Sequence, residues 1–276
     1  MNKKREITGA WQGKRYDYED LEKQTVQEMV DKLFVLSKSY NVVGIKQSFE
    51  DEGAILDDVM IMRRITEMCG LSMYVKIGGC EAVTDINNCV SMGINSIVAP
   101  MVETEFALKK FIDAVNLIKG IEFYFLCESC NSYNNLDSIL GSKPAKDLDG
   151  IVVGRSDLTK SYGLDKSHVD DEKICDIVQN ILIKAKKMDL KTTMGGNIST
   201  NSANFIKNLY NKKLLDKIET RNVVVELNDS NIINFSDTIK SILSFEIDWL
   251  TFKALNYNSV GNSYLERAKI LRGRIR

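Results

Sequence analysis

The amino-acid sequence predicts an α/β fold, a TIM (β/α)8-type parallel barrel that is extended by additional C-terminal helices. Strand-like apolar runs alternate with amphipathic helical segments at roughly 25–30 residues per unit, as expected for parallel strands joined by helices. No G-x-G-x-x-G turn follows the first strand, which disfavours the alternative, a doubly wound open sheet. Seven strands are clear, and we expect the eighth either before Asn41 or replaced by the long first helix.

The predicted elements follow one another without a linker rich in proline, glycine or serine, which indicates a single domain over residues 1–276. Apolar residues at helical spacing predict an N-terminal helix at 17–40, and the barrel core then spans 41–227. Its strands are predicted at 41–49, 72–77, 96–99, 123–127, 150–153, 191–194 and 222–227. The helices between them are predicted at 55–69, 81–92, 103–118, 131–140, 172–187 and 200–215. Two closing helices, at 231–255 and 263–271, are predicted within the C-terminal segment 231–276.

Composition and charge argue against several classes of partner. The 276 residues are 44% hydrophobic and 27% charged, and the formal net charge of -1 creates no field that attracts nucleic acid. The apolar runs are far shorter than the ~20 residues that cross a bilayer, and the polar N-terminus has no apolar signal core. Six scattered cysteines are typical of reduced thiols, so we expect a cytoplasmic protein that binds neither nucleic acid nor a membrane. Trp11 and Tyr16 in the basic tail could dock on a neighbouring subunit, and we expect a homo-oligomer.

Two carboxylates stand at the ends of neighbouring strand-like runs. The run 123–127 stops at Glu128, and the run 150–153 is soon followed by Asp157. A carboxylate at the end of a buried strand is costly unless water, a cation or a ligand meets it. The spacing fits one βαβ unit, which would place both acids at the carboxyl edge of the barrel, where such folds keep their chemistry. Two hard oxygen ligands suit Mg²⁺ or Mn²⁺, so Glu128 and Asp157 are the predicted metal ligands.

Other polar residues and glycines follow the strand-like runs and indicate a site for a small anionic substrate. A single charged residue at a strand end is more often solvated than functional, but here the pattern recurs on six strands. Arginine can bind a carboxylate or phosphate bidentately, and glycine-rich turns before helices expose backbone N–H groups to anions. The predicted substrate-binding residues are Lys76, Gly78, Gly79, Met101, Arg155, Gly196, Asn197 and Arg221.

Several motifs together resemble the HpcH/HpaI aldolase and citrate lyase β-subunit family. The segment 74–111, which begins YVKIGGCEAV, is similar to that family's third and fourth barrel strands. FLCESCNSYNNLDSIL (125–140) and DGIVVGRSDLTKSYG (149–163) are similar to its metal-binding pair, at the ends of the fifth and sixth strands. The likeness covers about 41–226 and implies a TIM barrel. It also implies a divalent metal on Glu128 and Asp157, with a 2-oxo acid or acyl-thioester substrate chelated to it.

This chain departs from the family pattern at three places. Lys76 stands where the family has an arginine, and Arg155 replaces a common proline. The histidine base of the family's pyruvate aldolases is missing, since residues 49–53 read FEDEG. The only histidine is His168, which could act as an acid or base if its loop closes over the site. The predicted catalytic residues are Lys46, Glu50 and Glu52 for proton transfer, with Lys76 and Arg155 holding the substrate.

The predicted function is that of a divalent-metal-dependent carbon–carbon lyase or aldolase that acts on a 2-oxo acid or acyl thioester through a stabilised enolate. One alternative is a catalytically altered barrel that binds an organic acid or a partner protein, which the missing histidine favours. A second alternative is an enzyme acting on a phosphorylated substrate that resembles phosphoenolpyruvate. The Gly195-Gly196-Asn197 turn and Arg221 favour that alternative.

Overall fold

The computed structural model describes residues 25–49 and 53–274, apart from the side chains of residues 265 and 268–274. The predicted catalytic residues Glu50 and Glu52 therefore lie outside the described residues, as does the tail that carries Trp11 and Tyr16. The homo-oligomer accordingly stays a prediction.

The chain divides into two compact units. One is Val26–Ile247, which holds the barrel, and the other includes the described residues 248–274. The last helix runs through this division, and the organisation as a single domain stays a prediction.

Eight strands close into a barrel, in which each strand pairs with its neighbours in chain order. The strands are β1 (Val42–Ser48), β2 (Ser72–Lys76), β3 (Ser96–Ala99), β4 (Glu122–Cys127), β5 (Gly150–Gly154), β6 (Lys191–Gly195), β7 (Lys217–Glu219) and β8 (Val223–Glu226). All pairs from β1 to β7 are parallel, whereas β8 is antiparallel to both β7 and β1. The predicted TIM-type barrel is confirmed, with one antiparallel strand closing it.

The eighth strand does not lie where the sequence led us to expect it. It is neither before Asn41 nor replaced by the first helix: the predicted strand 222–227 is β8, and the strand that was missed is β7. β7 has three residues, which are too few to show an apolar periodicity. The two acids that the resemblance placed on the fifth and sixth strands consequently follow the fourth and fifth strands of this barrel, β4 and β5.

Helices follow most strands and bury one apolar face each. α8, for example, buries Ile174, Ile177, Val178 and Ile181, at the spacing of one helical face. The helices are α1 (Val26–Tyr40), α2 (Leu56–Met68), α3 (Val83–Ser91), α4 (Glu105–Val115), α5 (Cys130–Asn134), α6 (Leu136–Gly141), α7 (Arg155–Ser161), α8 (Glu172–Lys186), α9 (Ala203–Asn211), α10 (Asp229–Ile233) and α11 (Phe235–Arg274). Short 3-10 turns occupy Lys143–Asp147, Lys166–Asp170 and Thr200–Ser202.

The predicted C-terminal helices are present, but the break expected between 255 and 263 is absent. α11 continues through Gly261, since one glycine inside a helix costs only about 1 kcal/mol. Among the described residues, no helix combines the length and the apolar character that crossing a bilayer requires.

The inner face of the barrel changes from apolar to charged along the strands. Its middle is a cluster of Tyr74, Val98, Tyr124, Leu126, Val152 and Val224. Because side chains alternate across a strand, the residue two positions further along faces the same way. That residue is Lys76 after Tyr74, Glu128 after Leu126 and Gly154 after Val152. Charged side chains therefore line the carboxyl end of the barrel, and the apolar cluster fills its middle.

Candidate functional site

A cavity of about 470 Å³ opens at the carboxyl end of the barrel. Parallel strands bring side chains to this end from β1, β2, β4 and β7, and α11 adds Leu243 and Glu246. The sequence-predicted residues that meet in the cavity lining are Lys46, Lys76, Glu128, Asp157, Gly196, Asn197 and Arg221.

Glu128 is the most deeply placed acid of the predicted metal pair. Its side chain follows β4 and only 4% of the residue is exposed. Its Oε1 accepts a hydrogen bond of 3.1 Å from the Met101 N–H. Burial raises the pKa of Glu128 to about 7, although the charge of Lys76 and the Met101 N–H act to lower it. The carboxyl group is therefore poised between its neutral and charged forms at neutral pH.

Gly154, the last residue of β5, makes the space that Glu128 fills. A Cβ atom at Gly154 would lie 2.9 Å from the Glu128 Cβ and 3.3 Å from its Oε2. The glycine of the GRSDL motif is therefore needed for close approach of the neighbouring carboxylate, and any side chain there would displace it.

Asp157 comes from the first turn of α7, which starts directly after β5. Its Oδ1 accepts a hydrogen bond of 2.9 Å from Lys160 Nζ, and 42% of its side chain is exposed. The charge of Asp157 also acts to raise the pKa of Glu128, so the two carboxylates interact electrostatically across the cavity. The helix start therefore brings a second, more hydrated carboxylate to the same opening.

The donor set of this cavity fits a hard divalent cation. Among the described residues, no group of three or more His, Cys, Asp or Glu side chains could hold a metal ion. Glu128 and Asp157 suit Mg²⁺ because that ion takes one or two carboxylates and keeps its other positions for water and substrate oxygens. Hence these two acids could hold Mg²⁺ or Mn²⁺ only in partnership with water or a ligand.

Lysines face the acids from the opposite strands. Lys76 of β2 is 7% exposed, and its charge acts to lower the pKa of Glu128. Lys46 of β1 forms an ion pair with Glu219 at the end of β7, with 2.6 Å between Nζ and Oε1. Buried cations beside a cavity can hold the carboxylate of a ligand.

Arg155, which the sequence predicted to bind the substrate and contribute to catalysis, does not line the cavity, and those two roles stay predictions. It is fully buried, and its guanidinium donates to Asp170 Oδ1 at 2.6 Å. It also donates to Gly196 O and Ser202 Oγ, each at 3.1 Å. Arg155 thus ties the turn Lys166–Asp170 to the segment that follows β6, because its fork of donors can bind several acceptors at once.

We therefore expect Arg155→Met to lower the free energy of unfolding by about 3 kcal/mol, because breaking a buried ion pair leaves Asp170 without its cation. Denaturant unfolding measures this loss. The matched control is Arg221→Met, an exposed arginine at the cavity, which should change stability by less than about 0.5 kcal/mol. Unchanged stability in Arg155→Met would show that its ion pair with Asp170 does not stabilise the fold.

Besides Arg155, three more of the predicted substrate-binding residues do not line the cavity. The Gly78 N–H donates to Asp85 Oδ2 at 2.8 Å, so this N–H is already hydrogen-bonded to the first turn of α3. Gly79 follows in the same turn. Met101 has a left-handed backbone with φ of 53° and an exposed side chain, and only its N–H serves the site, through Glu128.

His168 is not among the residues that line the cavity. Its Nδ1 lies 2.8 Å from Asp171 Oδ2, and 42% of its side chain is exposed. Hydrogen bonding to Asp171 raises its pKa. The same turn reaches the cavity through Lys166, whose backbone oxygen accepts from Asn197 Nδ2 at 3.0 Å.

Glu219 and Glu246 line the cavity, and our sequence analysis assigned no role to either. Glu219 ends a strand and stands two residues before the predicted substrate-binding residue Arg221, so its position was a signal. The position of Glu246 gave no such signal, because this residue lies inside α11 and not at the end of a strand. Its Oε1 accepts from the Asn222 N–H at 2.7 Å and from the Thr220 hydroxyl, which holds the turn between β7 and β8.

Known proteins resemble this chain in a family-level sequence pattern and in fold. Residues 55–205 match the family described as HpcH/HpaI aldolase/citrate lyase. No curated protein matches the sequence.

Solved structures with the same fold include three related proteins. An HpcH/HpaI aldolase from Desulfitobacterium hafniense DCB-2 is 10% identical, with a TM-score of 0.57 over 81% of this chain and 90% of that chain. An HpcH/HpaI aldolase/citrate lyase family protein from Burkholderia cenocepacia J2315 is 13% identical, with a TM-score of 0.57 over 80% and 91%. The citrate synthase SbnG is 14% identical, with a TM-score of 0.55 over 80% and 89%. At these identities the likeness shows the barrel fold.

Proposed function

Because the chain belongs to the HpcH/HpaI aldolase/citrate lyase family, we propose that it is a divalent-metal-dependent lyase that cleaves a carbon–carbon bond in a 2-oxo acid or acyl thioester. Family membership itself supports a carbon–carbon lyase type of activity. The observation that carries the finer proposal is the meeting of Glu128, Asp157, Lys46 and Lys76 in one cavity.

Each of these side chains has a task in the proposed reaction. Glu128 and Asp157 hold Mg²⁺ or Mn²⁺. When bound, the ion supplies a Lewis acid that stabilises negative charge on the substrate's oxygens. Lys76, which faces Glu128 from β2, binds the carboxylate or carbonyl end of the substrate. Lys46 is a proton-transfer candidate, and the apolar cluster in the middle of the barrel limits access of water from the amino end. Glu50 and Glu52, outside the described residues, stay candidates for the same task.

A phosphorylated substrate is the second candidate, because the open side of the cavity is cationic. Lys160, Lys166 and Arg221 all line it, and such side chains bind phosphate oxygens well. Lys166 and Arg221 are the expected phosphate ligands, and Lys160 lies beside them in its ion pair with Asp157.

A thermal shift screen tests the proposal and separates these substrates. The protein is heated with pyruvate, oxaloacetate, phosphoenolpyruvate or a CoA thioester, each with Mg²⁺, with Mn²⁺ or with a chelator. We expect a rise in melting temperature with a 2-oxo acid that requires the metal, since a ligand that binds only the folded state stabilises it. Stabilisation without metal dependence would point to the catalytically altered barrel instead.

A further inference from the structure

Lys46 and Glu219 form an ion pair that is withdrawn from bulk water and open to the cavity. Their Nζ and Oε1 atoms are 2.6 Å apart, and 15% and 5% of the two side chains are exposed. Charges buried to this degree are costly to desolvate and are retained only in close pairing. Both side chains line the cavity, so a ligand there would lie beside the pair.

The backbone holds the pair where β1 and β7 approach the turn between β7 and β8. The Lys46 N–H donates to Asn222 O at 2.8 Å, and Asn222 Nδ2 donates back to Lys46 O at 3.2 Å. Asn222 is held in turn by Glu246. These contacts fix the backbone from which the Lys46 side chain extends, and a site for proton transfer needs such a fixed support.

Gly195 leaves the space for Glu219, as Gly154 does for Glu128. A Cβ at Gly195 would lie 2.8 Å from Glu219 Cγ and 2.9 Å from its Oε1. Gly154 and Gly195 are register partners on β5 and β6. Two neighbouring glycines thus separate two carboxylates, one proposed to hold the metal and the other paired with a lysine.

The other charged groups of the lining have different tasks. Lys160 is paired with Asp157, Lys76 faces Glu128, and Glu246 holds the turn that follows β7. Two ion pairs of the described lining bring a proton donor into contact with a proton acceptor. Lys46–Glu219 is the buried one, with 15% and 5% of the side chains exposed, whereas Lys160–Asp157 is exposed to 61% and 42%.

We propose that Lys46 and Glu219 move the proton that carbon–carbon cleavage releases, an inference that rests on the proposed lyase function. As the bond breaks, the substrate hydroxyl becomes a carbonyl and the bonding electrons pass to the 2-oxo fragment as an enolate. The hydroxyl proton passes to Lys46 Nζ while Lys46 gives one of its protons to Glu219 Oε1, so Lys46 remains an ammonium. Lys46 is the catalytic residue, and Glu219 is the positioning residue that receives the proton through it.

Two reactions of the same enolate test this pair. The cleavage of 4-hydroxy-2-oxopentanoate must remove a hydroxyl proton, whereas the decarboxylation of oxaloacetate forms the pyruvate enolate without one. In Lys46→Arg and Glu219→Gln we expect kcat for cleavage to fall at least about 100-fold, the usual range for loss of acid–base catalysis. We expect KM and the rate of decarboxylation to stay within about threefold, and Lys191→Gln, at the opposite end of the barrel, to change neither reaction.

The outcomes separate this inference from the proposed function. Full cleavage activity in both variants, or equal loss of both reactions, overturns the role of the pair and leaves the lyase proposal standing. If the unaltered protein catalyses neither reaction with Mg²⁺ or Mn²⁺, the lyase proposal fails and this inference fails with it. Lys46→Arg keeps the ion pair, so its thermal melting curve shows whether a loss of rate reflects unfolding.

Discussion

Glu128→Gln is expected to lose divalent-metal binding and, at the same time, to make the metal-free protein more stable above neutral pH. Glutamine keeps the size of the side chain and can still accept from the Met101 N–H, so the fold is preserved. It supplies no charge, however, and Asp157 alone is a poor site. We expect the affinity for Mg²⁺ or Mn²⁺, measured by calorimetry, to fall at least about 100-fold, a loss in the range seen when ligating and supporting groups are removed.

The stability gain follows from the direction of the pKa shift. Burial raises the pKa of Glu128 to about 7 in the folded protein, while an unfolded glutamate titrates near 4.5. Between these values the folded state binds more protons than the unfolded state, so this group makes stability fall as pH rises from about 4.5 to 7. At pH 8 the cost amounts to as much as about 3 kcal/mol, and Glu128→Gln removes it.

Denaturant unfolding in the presence of a chelator, at pH 5 and at pH 8, measures the difference between the variant and the unaltered protein. That difference should grow with pH. Glu122→Gln is the matched control of opposite sign. Burial acts to raise the pKa of Glu122, but hydrogen bonds from Lys191 and Tyr124 bring it below its usual value, so this variant should lose stability at neutral pH. If the Glu128→Gln variant binds metal with the affinity of the unaltered protein, Glu128 is not a metal ligand.

The same shift makes metal affinity dependent on pH. In the proposed metal site only the ionised form of Glu128 would bind the ion, so affinity should fall about tenfold for each pH unit below 7 and level off above it.

Gly154→Ala is expected to weaken metal binding about as strongly as a ligand substitution, although it removes no ligand. The added methyl would lie 2.9 Å from the Glu128 Cβ, a distance that forces the carboxylate to move. Overpacking of this kind costs about 1–3 kcal/mol of stability. Calorimetry with Mg²⁺ and denaturant unfolding give the two effects separately.

Gly141→Ala is the control for Gly154→Ala. Gly141 ends α6, and a Cβ there would meet no atom within 4 Å. We expect unchanged metal affinity and stability that is equal or slightly higher, since alanine favours a helix over glycine. If Gly154→Ala binds metal normally, the close fit between Gly154 and Glu128 has no functional role.

The sequence by itself determined the alternation of strands and helices and the acids and lysines at the strand ends. These are local features: a strand and the residue that follows it are neighbours in the chain, and parallel strands place all their ends together. Glu128, Asp157, Lys46 and Lys76 could therefore be assigned to one site before the structure was known, and the cavity brings them together.

Only the tertiary structure decided which partner each charged side chain contacts. Lys46 and Glu219 are 173 residues apart in the chain, and their contact depends on a three-residue strand and on the antiparallel strand that closes the barrel. Arg155 is only two residues before Asp157 in the sequence. Its guanidinium nevertheless binds Asp170 and Ser202 and does not line the cavity. Periodicity reports which face of an element is buried, whereas the partner of a buried charge depends on which distant segments the closed barrel brings beside it.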